Sequence, residues 1–419
     1  MYDGRPLASA IILSHQHQRD YLARRAPQAL PATVVAGDPC YDRLLISLTE
    51  RTMYRAALGI PDDRRIVVLN STWSDSSLFG HWPTLIRSIV AELPIDEYAV
   101  VAILHPNIWD GHSPWQIRSW LADCVRSGLR LIPPTEGWRA ALVAADAVIG
   151  DHGSVTAYGA AIDRPTLLAS FPTDEVVPDT VVDAVGRIAP RLAPDRCLRS
   201  QIDEVIATHR PGRYAEVAGL VSSVPGSSLR VLRATCYRLM GLAEPEREIT
   251  ARVLPTIGLS DSVVMACRVH CVLNDGPDAE AARVSVTRHA EEVQPPGAPD
   301  LSGHLVVRAH HPDPRVLAAA DVVLIEPTAQ DFPADRWLTE TLAARPGIRL
   351  AGVLGPGGDC LLLDRLAGRL IVRGPLTHDP ALSASALYAW LVAGHEPPRV
   401  LTVRAGGTDR RLTVTRDHD

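Results

Sequence analysis

The sequence contains no lysine, and all 42 of its basic residues are arginine. A P-loop needs a lysine against the β- and γ-phosphates of its nucleotide, and a Schiff-base enzyme needs a lysine amine. Both classes are therefore excluded, and with them the translation-factor GTPases and the protein kinases. Arginine used in place of lysine, together with abundant alanine, is typical of GC-rich genomes such as those of actinobacteria.

Aromatic residues are also scarce, at 5% of 419 residues, so the cores have to be built mainly from Ala, Val, Leu and Ile. No apolar run reaches the roughly 18 residues of a membrane span, and the N-terminus lacks the apolar segment of a signal peptide. We therefore expect a cytoplasmic protein without a transmembrane span, while peripheral membrane contact and the oligomeric state stay open. The net charge of −6 argues against nucleic acid as a partner.

Seven cysteines are scattered along the chain without a C-x-x-C pair. An odd number at such spacings predicts reduced, mostly buried thiols instead of disulfides. The same spacings lack the ligand pattern of a zinc site. We expect neither a metal nor a cofactor.

The length predicts two or three domains. We interpret residues 1–36 as the remnant of a preceding α/β domain and residues 37–222 as a domain with a parallel, Rossmann-like sheet. Residues 223–249 are predicted to form a helix and a linker. Residues 250–419 are predicted to form a second, smaller α/β or α+β domain of unknown role, so the expected fold class is α/β.

Short apolar runs alternate with helical patterns in the middle of the chain. Such runs are typical of strands in a sheet that is buried on both faces, and the alternation implies right-handed crossovers between parallel strands. The predicted strands are 65–70, 98–104, 129–132, 147–150 and 166–170. Apolar residues recur at helical spacing over 82–93, 117–125 and 138–145. We expect segment 37–43 to lead from the remnant at 1–36 into this domain.

Polar residues follow the predicted strands at the end where ligands bind in an open parallel sheet. Hydroxyls, histidines and carboxylates are expected to meet at this edge, which is the best evidence in the sequence for a site. The candidate residues are Ser71, Thr72, His105, Glu136, Asp151, His152, Gly153, Ser154 and Thr156.

The most specific of these segments runs from Asp151 to Thr156, between an apolar strand and a helix of small residues. Exposed backbone N–H groups and two hydroxyls at a helix N-terminus favour a phosphate or another anion. The alternative is that Ser154 only caps its own helix. Asp151 has two interpretations as well, since it either orients a ligand or accepts N–H bonds from its loop.

His105 stands at a strand end, directly before a proline. Its ring could donate to a phosphate or act as a general acid or base, and the alternative is a histidine that only caps the sheet edge. Ser71 and Thr72 are either phosphate donors or an ordinary turn. His152 either joins the site or packs on the neighbouring helix.

Four segments together resemble a known family. The segments are His105-Pro106, Glu136-Gly137-Trp138, Ala144-Ala145-Asp146-Ala147-Val148-Ile149-Gly150-Asp151-His152-Gly153-Ser154-Val155 and Asp163-Arg164-Pro165-Thr166-Leu167-Leu168. They are similar to the nucleotide-binding half of the CDP-glycerol glycerophosphotransferases, which have the two-Rossmann GT-B architecture and act in teichoic-acid synthesis. The resemblance covers residues 35 to 175, and related GT-B epimerases and transferases share the same sequence pattern.

The resemblance implies a CDP- or UDP-linked small molecule as the donor, bound by Ser154, Thr156 and His105, and transfer of its phosphoglycerol or glycosyl group. It gives His105 the catalytic role, at the phosphate or the leaving group, and it requires no metal. A complete GT-B enzyme has a whole N-terminal Rossmann domain, whereas only residues 1–36 precede the nucleotide half here. Two explanations stay open, a misplaced start codon or a non-catalytic nucleotide-binding or interaction module derived from such an enzyme.

Overall fold

The computed structural model describes residues 6–256, 258, 264–274, 281–293, 303–329, 331–355, 357–375 and 379–416. The chain divides into two compact units. The first unit comprises residues 1–85, 100–117 and 130–261, and the second unit comprises residues 86–99, 118–129 and 262–419.

The N-terminal part of the chain contains two parallel sheets. Their strands are β1 Ile11–Leu13, β2 Thr33–Val35, β3 Arg65–Ser71, β4 Tyr98–Leu104, β5 Arg130–Leu131, β6 Ala147–Gly150 and β7 Thr166–Leu168. β1 pairs only with β2, and the larger sheet has the spatial order β5-β4-β3-β6-β7. Its strands pair in parallel, which confirms the predicted Rossmann-like sheet.

Helices follow most of these strands, as the alternating pattern predicts. They are α1 Gln16–Arg25, α2 Pro39–Ser47, α3 Arg51–Ala57, α4 Leu78–His81, α5 Leu85–Glu92, α6 Pro106–His112, α7 Pro114–Trp120, α8 Ala122–Arg126, α9 Trp138–Ala144, α10 Ser154–Ala161, α11 Val181–Ile188, α12 Leu198–Ala207, α13 Ala215–Val221 and α14 Ser228–Met240. Short 3-10 helices span Pro27–Ala32 and Leu48–Glu50.

One helix prediction needs correction, and one connecting segment contains a helix. The segment 37–43, predicted to lead into the domain of the larger sheet, contains the start of α2. Asp38 accepts the N–H groups of Cys40 and Tyr41 there, and Pro39 suits the first position because that position has no N–H partner to lose. The predicted helix 117–125 is divided into α7 and α8 at Leu121, whose φ of −104° and ψ of 11° leave the helical range.

The order of the strands creates a crevice at one place in the larger sheet. Every residue of β4 and β6 is buried, and in β3 only Arg65 is exposed, as expected for a sheet covered on both faces. The chain goes from β3 to β4 and β5 on one side, and then returns to β6 on the other side. β3 and β6 therefore flank the topological switch point, where open α/β sheets bind ligands beyond their carboxyl ends.

The second unit contains a closed sheet of nine strands. They are β8 Ala266–Leu273, β9 Ala281–Ala290, β10 His304–Arg308, β11 Val322–Ile325, β12 Leu350–Leu354, β13 Cys360–Asp364, β14 Gly368–Arg373, β15 Val400–Ala405 and β16 Thr408–Arg416. The spatial order is β10-β11-β12-β13-β14-β16-β15-β9-β8, and β8 pairs back with β10. The turn of the last hairpin uses Gly406 and Gly407, both at positive φ, as two-residue hairpins require.

Three helices accompany the closed sheet, α15 Pro314–Ala318, α16 Ala334–Ala344 and α17 Pro380–Val392. Ten of the thirteen residues of α17 are buried, and the helix contacts β8, β9, β11, β12, β13 and β15. A helix that is apolar on all faces has to be enclosed. Here the closed sheet encloses it, and Leu387 and Trp390 are among the core residues.

A buried ion-pair network holds the start of α17. Arg288 lies 2.6 Å from an oxygen of Asp96 and 2.7 Å from an oxygen of Asp379. Asp379 also accepts the N–H of Ala381 as the N-cap of α17. Burial opposes the charged form of Asp379, but the neighbouring Arg288 outweighs it and lowers the pKa of this carboxyl.

Leu387→Ala should lower the free energy of unfolding by about 2–5 kcal/mol, because it leaves a cavity where the side chain is fully buried. Leu366→Ala makes the same chemical change at a side chain that is 82% exposed, and we expect less than about 0.5 kcal/mol from it. Chemical denaturation of both variants measures the difference. Equal losses would show that α17 is not enclosed as described.

Candidate functional site

Two loops leave the carboxyl ends of β3 and β6, on the two sides of the switch point. One buried carboxylate joins them. Oδ2 of Asp151 accepts the N–H of Thr72 at 2.8 Å, the hydroxyl of Thr72 at 2.9 Å and the N–H of Leu78 at 2.8 Å. Its Oδ1 accepts the N–H of Gly153 at 3.0 Å. Asp151 is only 1% exposed, so its bonding capacity is used within the protein.

The loops after β3 and β4 are also joined. The N–H of His105 donates to the carbonyl oxygen of Ser71 at 3.0 Å. The hydroxyl of Ser71 donates to the carbonyl of Thr72 at 2.8 Å and accepts the N–H of Phe79 at 2.9 Å. The structure thus brings Ser71, Thr72, His105 and Asp151 together at one edge, although the hydroxyl of Ser71 is buried in the turn.

The start of α10 is left without a side-chain cap. Gly153 occupies the N-cap position, and a Cβ there would lie 2.5 Å from Cγ2 of Thr72. Glycine is required by this close approach. Ser154 is the first helical residue, is exposed, and makes no hydrogen bond to the described residues through its side chain. Ser154 therefore does not cap its own helix, and the first N–H groups of α10 have no side-chain acceptor.

Thr156 is buried beneath this edge. Its hydroxyl donates to Oδ1 of Asn70 at 2.8 Å, and the residue is 1% exposed. A Cβ on Gly150 would lie 2.2 Å from the same hydroxyl, so the surroundings are fully packed. The hydroxyl of Thr156 supports the joint between β3 and β6, and we leave it out of the proposed ligand contacts.

His105 keeps one ring nitrogen available. Its Nδ1 accepts the N–H of Asn107 at 3.1 Å and caps α6. A neutral ring that accepts at Nδ1 carries its proton on Nε2, which therefore remains a donor. The ring centroid lies 6.5 Å from that of Trp73, whose indole is 61% exposed.

Glu136 and His152 differ in their hydrogen bonding within the protein. Both oxygens of Glu136 lie within 2.9 Å of Nη2 of Arg139, and one also accepts the N–H of Gly137. The carboxylate is thus paired within its own segment. Nδ1 of His152 is buried and has no hydrogen-bond partner among the described residues.

The far side of α10 is held by a second anchor. The hydroxyl of Tyr158 donates to Oδ2 of Asp38 at 2.6 Å, and Asp38 also caps α2. Burial, strengthened by the hydrogen bond to Asp38, raises the pKa of Tyr158 far above its usual value. The phenol stays protonated and keeps donating. α10 is therefore attached to α2 as well as to the loop after β3.

Two residues of this region carry no role in the sequence prediction. Trp73 is one. The feature that could have identified it is a large aromatic residue inside a run of serine, threonine and aspartate, outside any apolar run. Arg139 is the other; it lies in the first turn of α9, three residues after the oppositely charged Glu136, and the two side chains form an ion pair.

No family model matches the sequence, and no curated protein matches it. Solved structures do match. A variant of the wall teichoic acid polymerase TagF with CDPG aligns with a TM-score of 0.40 and 14% identity, over 55% of this chain and 58% of that chain. Anabaena HepE in complex with UDP-glucose aligns with a TM-score of 0.32 and 13% identity, over 56% and 64%.

The UDP-GlcNAc 2-epimerase of Neisseria meningitidis, bound to UDP-GlcNAc, aligns with a TM-score of 0.35 and 17% identity, over 55% of this chain and 62% of that chain. The chain thus spans less than two thirds of each of these structures. The sequence resembles enzymes of teichoic-acid synthesis, and a wall teichoic acid polymerase is among the structures found. Likeness at this level does not assign an activity to the chain.

Metal-ligand clusters and membrane-spanning helices are both absent from the described residues. Among them, no group of three or more His, Cys, Asp and Glu side chains is arranged as a metal site requires. None of the described helices combines the length and the hydropathy of a membrane-spanning helix.

Asp151→Asn should lower the free energy of unfolding by about 1–3 kcal/mol, because the amide turns an NH2 group toward N–H donors that the carboxylate accepts. Denaturation measures the loss, and hydrogen exchange should show faster opening of residues 72–78. Asp174→Asn makes the same change at an exposed carboxyl and should alter neither readout. Parent-like protection in Asp151→Asn would mean that the carboxylate does not hold the loop.

Proposed function

We propose that the first unit binds a nucleotide-activated donor, CDP-glycerol or a nucleotide sugar, at the carboxyl edge of its larger sheet. We further propose that the protein transfers the phosphoglycerol or glycosyl group of this donor. The observation that carries the proposal is the uncapped start of α10, which Asp151 holds against the loop that bears Trp73.

The diphosphate of the donor is assigned to α10. The N–H groups of its first turn have no side-chain acceptor, and the helix dipole adds partial positive charge there. The exposed hydroxyl of Ser154 is a further donor next to them, and Nε2–H of His105 belongs to the same edge. An anion at this place would replace water on donors that the fold already orients, so little ordering is needed on binding.

The base of the donor is assigned to Trp73. An exposed indole offers a flat face on which a nucleobase can stack, and such stacking tolerates any base. The family resemblance makes CDP-glycerol the first donor to test, since it joins a cytidine, two phosphates and a glycerol.

In the proposed reaction, a hydroxyl of the acceptor bonds to the phosphorus or to the anomeric carbon of the transferred group. The bond from that atom to the leaving nucleotide breaks, and one proton is released. Negative charge grows on the leaving phosphate, so donors already fixed against it lower the barrier. His105 is proposed to donate from Nε2 to this phosphate, either as a hydrogen-bond donor or as a general acid.

CDP should raise the melting temperature of the protein by linkage, and Ser154→Pro should remove most of this rise. Proline eliminates both the hydroxyl and the N–H of residue 154. The fold should tolerate it, because proline suits the first position of a helix and Gly153 is already extended, with ψ of 160°.

Val181→Pro is the matched control, at the first position of α11 after Thr180, whose ψ is 167°. It removes an equivalent N–H away from the proposed site, so the response to CDP should stay complete. The assignment of the phosphates to α10 is wrong if Ser154→Pro still responds to CDP and UDP like the parent.

His105→Ala should reduce turnover of CDP-glycerol by about a hundredfold or more while the CDP-induced shift in melting temperature largely remains. Release of CMP measures turnover. His105→Gln separates the two roles, since glutamine restores a donor but cannot transfer a proton. Recovery in His105→Gln indicates hydrogen bonding alone, and no recovery indicates proton transfer. Unchanged turnover in His105→Ala would remove His105 from the reaction.

The same assay tests the second interpretation. Binding of CDP by the parent without turnover of any nucleotide-activated donor would favour a non-catalytic nucleotide-binding module. The internal use of the hydroxyls of Ser71 and Thr156 is the observation that fits such a module, because it leaves fewer groups for chemistry.

A further inference from the structure

A cavity of the first unit, away from the proposed donor site, is lined by arginine. Its volume is about 680 Å³, which lies within the usual range of ligand sites. Arg43, Arg233, Arg247 and Arg252 line it, with Glu248 as the one acidic residue among the lining residues. The protein as a whole has a net charge of −6, so this surplus of positive charge is local.

Two of these arginines hold the wall of the cavity. Nε and Nη2 of Arg43, on α2, donate to the carbonyl oxygens of residues 252 and 253, at 3.1 and 3.4 Å. Nε of Arg233, on α14, donates to Glu244 at 2.6 Å, and its Nη1 donates to the carbonyl oxygen of Arg247 at 2.6 Å. Because a guanidinium has five N–H donors, both side chains keep N–H groups that these hydrogen bonds do not use.

The frame behind the cavity is rigid. The buried carboxylate of Asp42, on α2, accepts the N–H groups of Gly226 and Ser228 at the start of α14, at 2.6 and 3.0 Å. The segment that closes the cavity is attached to α2 and α3 through Leu254, whose N–H donates to Ser47 and whose carbonyl accepts the hydroxyl of Tyr54 at 2.9 Å. Arg43 and Arg233 are therefore presented at fixed positions.

The other two arginines have no partner of their own. The guanidinium groups of Arg247 and Arg252 make no hydrogen bond or ion pair within the described part of the chain, and both residues are exposed. Arginine matches phosphate oxygens with two parallel N–H donors. Leu229, Pro245 and Ile249 add an apolar portion to the lining. The cavity thus offers several phosphate donors beside a surface for an organic group.

We infer that this cavity is a binding site for an organic diphosphate, separate from the donor site proposed on α10. The four lining arginines outnumber Glu248 and the Arg233-bound Glu244 by two charges, which favours an anionic ligand, and the volume exceeds what a single phosphate would fill. Arg247 and Arg252 supply the main contacts, and Arg43 and Arg233 both support the wall and reach the ligand with their remaining N–H groups.

The test is titration calorimetry with inorganic pyrophosphate at constant ionic strength, and with orthophosphate in a parallel arm. The parent should bind pyrophosphate more tightly than orthophosphate. Arg247→Gln with Arg252→Gln should weaken pyrophosphate binding about tenfold or more, since two charge-assisted contacts are lost. The melting temperature should stay unchanged, because the carbonyls that bind Arg43 and Arg233 remain.

The matched control is Arg24→Gln with Arg210→Gln, which removes the same charge from two exposed positions outside the cavity and should bind pyrophosphate like the parent. Ser154→Pro should keep the pyrophosphate binding that depends on Arg247 and Arg252, even if it removes binding at α10, so failure of one proposal can be distinguished from failure of the other. The inference is overturned if the parent does not prefer pyrophosphate, if the Arg247/Arg252 variant binds like the parent, or if binding is lost in Ser154→Pro instead.

Discussion

One buried carboxylate, that of Asp151, determines the shape of the proposed donor site. It accepts hydrogen bonds from both loops that leave β3 and β6, so neither loop can move without leaving buried N–H groups unpaired. Since its oxygens are already occupied, Asp151 holds the site and does not react. The groups that can still donate a hydrogen bond to a ligand are the hydroxyl of Ser154, Nε2–H of His105 and the first N–H groups of α10.

A chain without lysine has to recognise anions in other ways, and the two sites proposed for the first unit differ in how they would do so. At α10 the proposed donors are backbone N–H groups, which carry partial charge, at a helix start where glycine at residue 153 leaves room for Thr72. In the arginine-lined cavity the proposed donors are guanidinium groups, which carry full charge and match phosphate geometry. The first kind depends on the backbone path and the second on side chains fixed by α2 and α14.

The second unit shows how a core can be built with few aromatic residues. α17 presents small side chains on most faces, including Ser383, Ala384 and Ser385, which are completely buried. Small residues let the surrounding strands approach the helix, and Ser385 satisfies its hydroxyl on the carbonyl of Ala381 within the helix itself. Trp390 is the large exception, and its indole N–H donates to the carbonyl of Glu396.

Local pattern was enough to predict the strands of the larger sheet and the edge where the polar residues meet, because periodicity acts over a few positions. It could not decide which hydroxyls remain available. Thr156 is bonded to Asn70, 86 positions away, and Thr72 is bonded to Asp151, 79 positions away. The closure of the nine-stranded sheet could not be predicted from local pattern either, because it requires β8 to pair with β10. Such partners exist only once the order of the strands is established, and tertiary structure alone decides that order.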